Sequence, residues 1–82
     1  MAEWVNSDVV RAGAAEDGTI FIRLRPLANE FTARWFVAAN QVKKEQLATA
    51  LTAITTQLHV NANIEARDQY SRLNRLYVAR DF

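Results

Sequence analysis

The chain has 82 residues, half of them hydrophobic, with ten basic and nine acidic side chains, a formal net charge of +1 and no cysteine. Such a length makes one small domain, spanning 1–82, that buries only about 60–65% of its extended-chain surface. The composition excludes a disulfide-stapled scaffold, a membrane-spanning helix and a generic whole-surface nucleic-acid binder, while leaving room for a local basic patch.

The first residues, Met1 to Ser7, carry neither the basic n-region nor the apolar h-region of a signal peptide. With the lack of cysteine, this leads to the expectation of a cytoplasmic protein, or of a secreted one whose signal peptide has been removed. A small domain without staples also points to stabilisation by oligomerisation.

Three consecutive antiparallel strands are predicted over Val9–Ala14, Ile20–Leu24 and Phe31–Ala38. The loop Glu16-Asp17-Gly18 suits a three-residue hairpin with Gly18 in the left-handed position. It sets Val10 opposite Leu24, Ala12 opposite Ile22 and Ala14 opposite Ile20. The loop Leu27–Glu30 then sets Leu24 opposite Ala33, Ile22 opposite Trp35 and Ile20 opposite Val37. Both registers give one apolar face, with Trp35 in the core. The other face carries a row of Arg11, Arg23 and Arg34 beside a row of Gly13, Phe21 and Phe36. Like charges directly opposite one another are unfavourable, so an acidic neighbour, a partner chain or an anionic ligand is expected to offset them. Pro26 falls at the end of the second strand, where a missing donor is tolerated.

Asn40 is a fair N-cap for a helix running to about Gln57, with an inner stripe of Leu47, Leu51, Ile54 and Leu58. Its outer face then carries Gln46, Thr49, Thr52, Ala53 and Thr56, with no charged residue after Glu45. Such a face suits helix–helix packing between copies of the chain, or is an ordinary low-charge solvent face. Val60, Ala62, Ile64 and Ala66 alternate with polar residues as in a half-buried strand. Arg67–Tyr70 turns the chain. Ser71–Arg80 is a closing strand in which Leu73 is out of phase with Leu76 and Val78, so a bulge is expected.

The fold class is therefore mainly β with one α-helix, in the order β-β-β-α-β-β. Three meandering strands, a helix that plugs one end and two closing strands make a small five-stranded barrel of the OB type. An open α+β sheet crossed by one helix is the rival.

The run Gly18-Thr19-Ile20-Phe21-Ile22-Arg23-Leu24, the pair Trp35-Phe36, the helix Leu47–Leu58 leading into Val60, and Tyr70-Ser71-Arg72-Leu73-Asn74-Arg75-Leu76-Tyr77-Val78 resemble a group of small bacterial proteins. That group is similar to the OB-fold B subunits of pentameric toxins such as subtilase cytotoxin. The likeness covers about Val9 to Val78 and rests on layout and hydrophobic pattern. It implies a ring-shaped homo-oligomer with helices lining the centre and, in the toxins, a glycan-binding surface. The toxin subunits are exported and usually carry a disulfide, whereas this chain has no cysteine.

No catalytic constellation stands out. His59 is the only histidine and is expected to cap or face solvent, and no cysteine or second histidine would complete a metal site. Ser7, Asp8 and Ser71 form no triad with it at any defensible spacing. There is no phosphate-cradling glycine loop, and the acidic residues are scattered. The chain reads as non-enzymatic, without cofactor or metal and without membrane insertion.

Three roles stay open. One is a homo-oligomeric binding or scaffold module, ring-like, with a pentamer and a glycan ligand as what the resemblance implies, and with Gln46, Thr49, Thr52, Ala53 and Thr56 at its interface. A second is a single-stranded DNA or RNA binder using Phe21, Arg23, Arg25, Arg34 and Phe36, extended by Arg75 and Tyr77. The third is a small inhibitor or immunity-type protein whose basic face docks an acidic partner. For Phe21 an ordinary packing role competes, covering Gly13; Tyr70 either packs in its turn or stacks on a sugar or base. Trp4 is expected to cover one end of the barrel or to join a neighbour.

Overall fold

A computed structural model describes residues 2–79. Its elements are β1 (Glu3–Ala14), β2 (Ile20–Pro26), β3 (Arg34–Ala38), a 3₁₀ turn (Asn40–Val42), α1 (Lys43–Thr56), β4 (His59–Ile64) and β5 (Arg72–Ala79). Arg80, at the expected end of the last strand, lies outside the described residues. The strands close into a barrel in the order β1-β2-β3-β5-β4, an OB-like topology. All pairings are antiparallel except a short parallel contact of Val37 and Ala38 with Arg72 and Leu73, which completes the closure. The open α+β sheet is thereby ruled out.

β1 begins at Glu3, so Trp4 lies within it and not before it. The first half of β1 pairs with β4 and the second half with β2, and Ser7 is the shared residue, facing both Val60 and Pro26. A bulge between Val9 and Arg11 lies within the half that pairs with β2. It is needed because inward positions are odd-numbered up to Val9 and even-numbered from Ala12, and one extra residue reverses the phase. Leu24 therefore faces Val9, correcting the expected pairing with Val10. The pairs Ala12–Ile22, Ala14–Ile20, Arg11–Arg23 and Gly13–Phe21 are as expected. Gly18 adopts φ 88° in the connecting turn.

The second hairpin departs from expectation by one residue. Phe36, not Trp35, faces Ile22, while Trp35 faces Arg23 and Arg34 faces Leu24. Phe36 is fully buried and Trp35 is half-buried on the outside. Period-two reasoning favours the phase Phe31, Ala33, Trp35, Val37 because all four are apolar. The fold breaks that run by leaving Phe31 and Ala33 outside the strand. A phenyl ring then fills the barrel without the N–H partner that a buried indole requires.

The helix is rotated from its expected orientation. Gln46, Ala50 and Ala53 face the barrel, while Leu51 and Ile54 are 46% and 38% exposed and Leu47 is only partly buried. Alanines let the helix backbone approach the barrel mouth more closely than a leucine stripe would. The Gln46 amide donates to the Leu73 carbonyl at 3.0 Å. Gln46 and Ala53 are thus core residues and are withdrawn from the expected oligomer interface. Asn40 does not cap the helix: it opens the 3₁₀ turn, and neither that turn nor α1 has a side-chain cap hydrogen bond. Gln57 ends α1 in the left-handed region.

β5 carries the expected bulge. Asn63 faces Arg75 while Ile64 faces Leu73, leaving Asn74 as the extra residue and bringing both Leu73 and Leu76 inside. Asn74 uses its displaced position to donate to Asn63 and Glu65 and to accept from Arg72. Among the described residues no helix is long and apolar enough to cross a membrane.

Candidate ligand-binding face

With β3 shifted, the outer face of β1–β2–β3 carries the rows Arg11, Arg23, Trp35 and Gly13, Phe21, Val37. Strand alternation sends these side chains outward, because Ala12, Ile22 and Phe36 beside them point in. The third member of the charged row is thus an indole. The Arg23 guanidinium stands 5.9 Å from the centroid of Trp35, and this cation–π contact takes the place of a third repelling arginine. Among the described residues no acidic side chain pairs with Arg11 or Arg23. The Arg11–Arg23 repulsion is therefore not offset by an acidic neighbour within the described chain.

Three rings gather beside these cations. Phe21 meets Trp35 edge-on at 6.5 Å and Tyr70 edge-on at 6.0 Å. Tyr70 arrives from the β4–β5 loop with φ 66° and is 59% exposed. That loop is fastened to β3: the Tyr70 N–H donates to the Trp35 carbonyl, the Trp35 N–H donates to the Gln69 side chain, and Arg34 donates to the Arg67 carbonyl at 2.7 Å. A cleft of about 440 Å³ adjoins the cluster, lined by Arg11 and Gly13 of β1, by Phe21 and Trp35, and by Ile54 of α1.

Of the five residues expected to bind ligand, Phe21, Arg23 and Arg25 keep outward parity on β2, and of the two arginines only Arg23 is without an acidic partner among the described residues. Phe36 is in the core. Arg34 has inward parity at the barrel end, where its guanidinium lies 5.5 Å from the Phe31 centroid and fixes the β4–β5 loop. Arg67 shares the Phe31 ring and pairs with Glu3 through two nitrogens at 3.1–3.2 Å. Arg25 is engaged by Asp8 at 2.9 Å, and His59 meets the other oxygen of the same carboxylate at 2.6 Å. His59 thus belongs to a linkage between β1, β2 and β4, not to a cap. Burial raises the Asp8 carboxyl pKa, but hydrogen bonds from Arg25 and His59 and their charges outweigh it and hold the group below its ordinary value. Tyr77 stacks on Trp4 at 5.8 Å on the β1–β4–β5 side of the barrel, so it does not extend the arginine face.

Trp35 and Tyr70 enter the site in place of the lost residues. The signal for Trp35 was its adjacency to Phe36, since one of two neighbouring strand residues must point outward. Among the described residues no group of three or more His, Asp or Glu side chains could hold a metal ion. The comparisons bring no relative to this face: no family model matches the chain, and neither a curated protein nor a solved structure matches it.

Proposed function

We propose that this chain is a non-enzymatic binding module that holds single-stranded nucleic acid on the outer face of β1–β2–β3. One observation carries the proposal: Arg11 and Arg23 lack acidic partners among the described residues and stand beside the ring cluster of half-buried Phe21 and Trp35 and exposed Tyr70. Cations along a backbone and aromatic faces under the bases are what a single strand requires. OB barrels present such chemistry on strands two and three, between the β1–β2 and β4–β5 loops. The near-neutral total charge restricts the attraction to this patch. An Arg11→Ala/Arg23→Ala variant should bind a short oligonucleotide more weakly and with a salt slope reduced by about 1.4, from two lost phosphate contacts. Fluorescence anisotropy across a salt series measures both. Absence of wild-type binding at low salt, or selective binding of a neutral glycan instead, would reject nucleic acid as the ligand.

A second reading, self-association through α1, is favoured by the helix face. Leu51 and Ile54 are exposed, and the hydroxyls of Thr49, Thr52, Thr55 and Thr56 donate to carbonyls one turn back at 2.7–2.9 Å. With the hydroxyls so occupied, this face offers a neighbour mainly methyl groups. A ring with helices toward its centre is the assembly that the likeness to toxin B subunits implies. Leu51→Lys/Thr55→Lys should convert the assembly to monomers without unfolding them, and native mass spectrometry reads the outcome. A wild-type chain that is strictly monomeric at tens of micromolar would end this reading.

A further inference from the structure

An aromatic directly across from a strand glycine ordinarily lies over it and covers the bare backbone. Phe21 faces Gly13 in the β1–β2 ladder, yet its ring turns the other way, toward Trp35 on β3 and Tyr70 beyond it. The space above Gly13 is accordingly empty: a Cβ built there meets nothing within 4 Å. Gly13 has no positive φ and needs no glycine for its backbone conformation. In a strand interior, glycine is a poor choice on conformational and packing grounds alike. The gap is part of the cleft that Phe21, Trp35 and Ile54 also line, with Arg11 on the same strand two residues away.

We propose that Gly13 is the floor of a seat for one unpaired nucleobase, and that its missing side chain is what makes room for the ring. The inference rests on the nucleic-acid reading of the neighbouring face and adds to it the residue that admits a base into the cleft. A planar ring laid against the bare backbone has the carbon surfaces of Phe21 and Ile54 available to it in the same cleft. The Arg11 guanidinium is then placed to meet the phosphate attached to that nucleotide. A cleft of this volume falls in the range that receives small planar ligands. A neutral sugar could accept hydrogen bonds from Arg11 but would leave its charge unneutralised, so charge complementarity favours the nucleotide.

The test is Gly13→Val, with Gly13→Ala as a single-methyl companion. The Ala methyl enters empty space and both side chains suit a strand better than glycine, so the melting temperature should hold or rise. Affinity for a short labelled oligodeoxyadenosine at low salt should fall about tenfold or more in Gly13→Val, and by less in Gly13→Ala, the loss expected for one stacked base. In wild type, the Gly13 amide resonance should move on adding the same oligonucleotide. Equal affinity of wild type and Gly13→Val overturns the seat while leaving nucleic-acid binding by the face intact. A lowered melting temperature in Gly13→Ala overturns the claim that the space is empty. Failure of the wild type to bind any oligonucleotide overturns the wider reading and the seat with it.

Discussion

Replacing Phe36 and Trp35 one at a time by alanine separates the inner and outer faces of β3. Phe36 is fully buried at the centre of the barrel, opposite Ile22, and meets Phe31 edge-on at 6.1 Å. Removing a buried phenyl ring costs about 3–5 kcal/mol, transfer and cavity terms together. A chain of this length has about 4–12 kcal/mol of stability in total. Phe36→Ala should therefore unfold the protein or leave it with a midpoint shifted by about 3 M or more in urea, taking an m value near 1 kcal/mol/M for a small domain. Trp35 is half-buried, with an edge contact to Phe21 and a cation above its face. Those contacts amount to about 1–2 kcal/mol, so Trp35→Ala should stay folded with a modest shift. Its oligonucleotide affinity should nevertheless fall about tenfold or more, since a stacked base is worth about 1–3 kcal/mol. Urea titration followed by circular dichroism, with anisotropy for binding, gives both readings. A greater loss of stability from Trp35→Ala than from Phe36→Ala would mean that β3 sits one residue out of register, and the binding face described above would not exist.

Two further outcomes follow from buried and paired polar groups. The Ser7 hydroxyl is fully buried where β1 passes from β4 to β2 and has no hydrogen-bond partner among the described residues. Ser7→Ala should stabilise the fold by about 1 kcal/mol, visible as a rise of about 4–8 °C in Tm; a loss of stability would show that the hydroxyl is satisfied. The Asp8 carboxyl is depressed below its ordinary value of 3.8 in the folded state. Its stabilising contribution is therefore complete above that value and disappears as pH falls through the lower, folded one. The stability gap between wild type and Asp8→Asn should persist at neutral pH and close only in strong acid; a gap that closes above pH 5 would contradict the Arg25–Asp8–His59 linkage.

Much of the barrel follows from local chemistry. Alternation found parts of all five strands but began the first at Val9, missing the half from Glu3 that pairs with β4, and began the third at Phe31; the glycine turn set the first hairpin, and the misplaced Leu73 announced the bulge that the structure finds at Asn74. Arg11 beside Arg23 and Gly13 beside Phe21 follow from that hairpin alone. These features depend on residues close in the chain, where a turn leaves one register that buries a consistent face.

Other features were settled only when distant elements met. Trp35 and Phe36 are adjacent and both apolar, so a two-residue period cannot choose between them; the interior volume of the closed barrel does. The helix has apolar or small residues around much of its circumference, with charge only at Lys43, Lys44 and Glu45, so its periodicity allows more than one inward face. Close approach to the barrel mouth selects Gln46, Ala50 and Ala53. Arg25, Arg34 and Arg67 resemble Arg11 and Arg23 in sequence, but acquire partners because the fold brings Asp8, the Arg67 carbonyl and Glu3 to them. A side chain's type shows that it can hold charge or a ring; which groups stay unpaired on one surface depends on contacts between residues far apart in the chain.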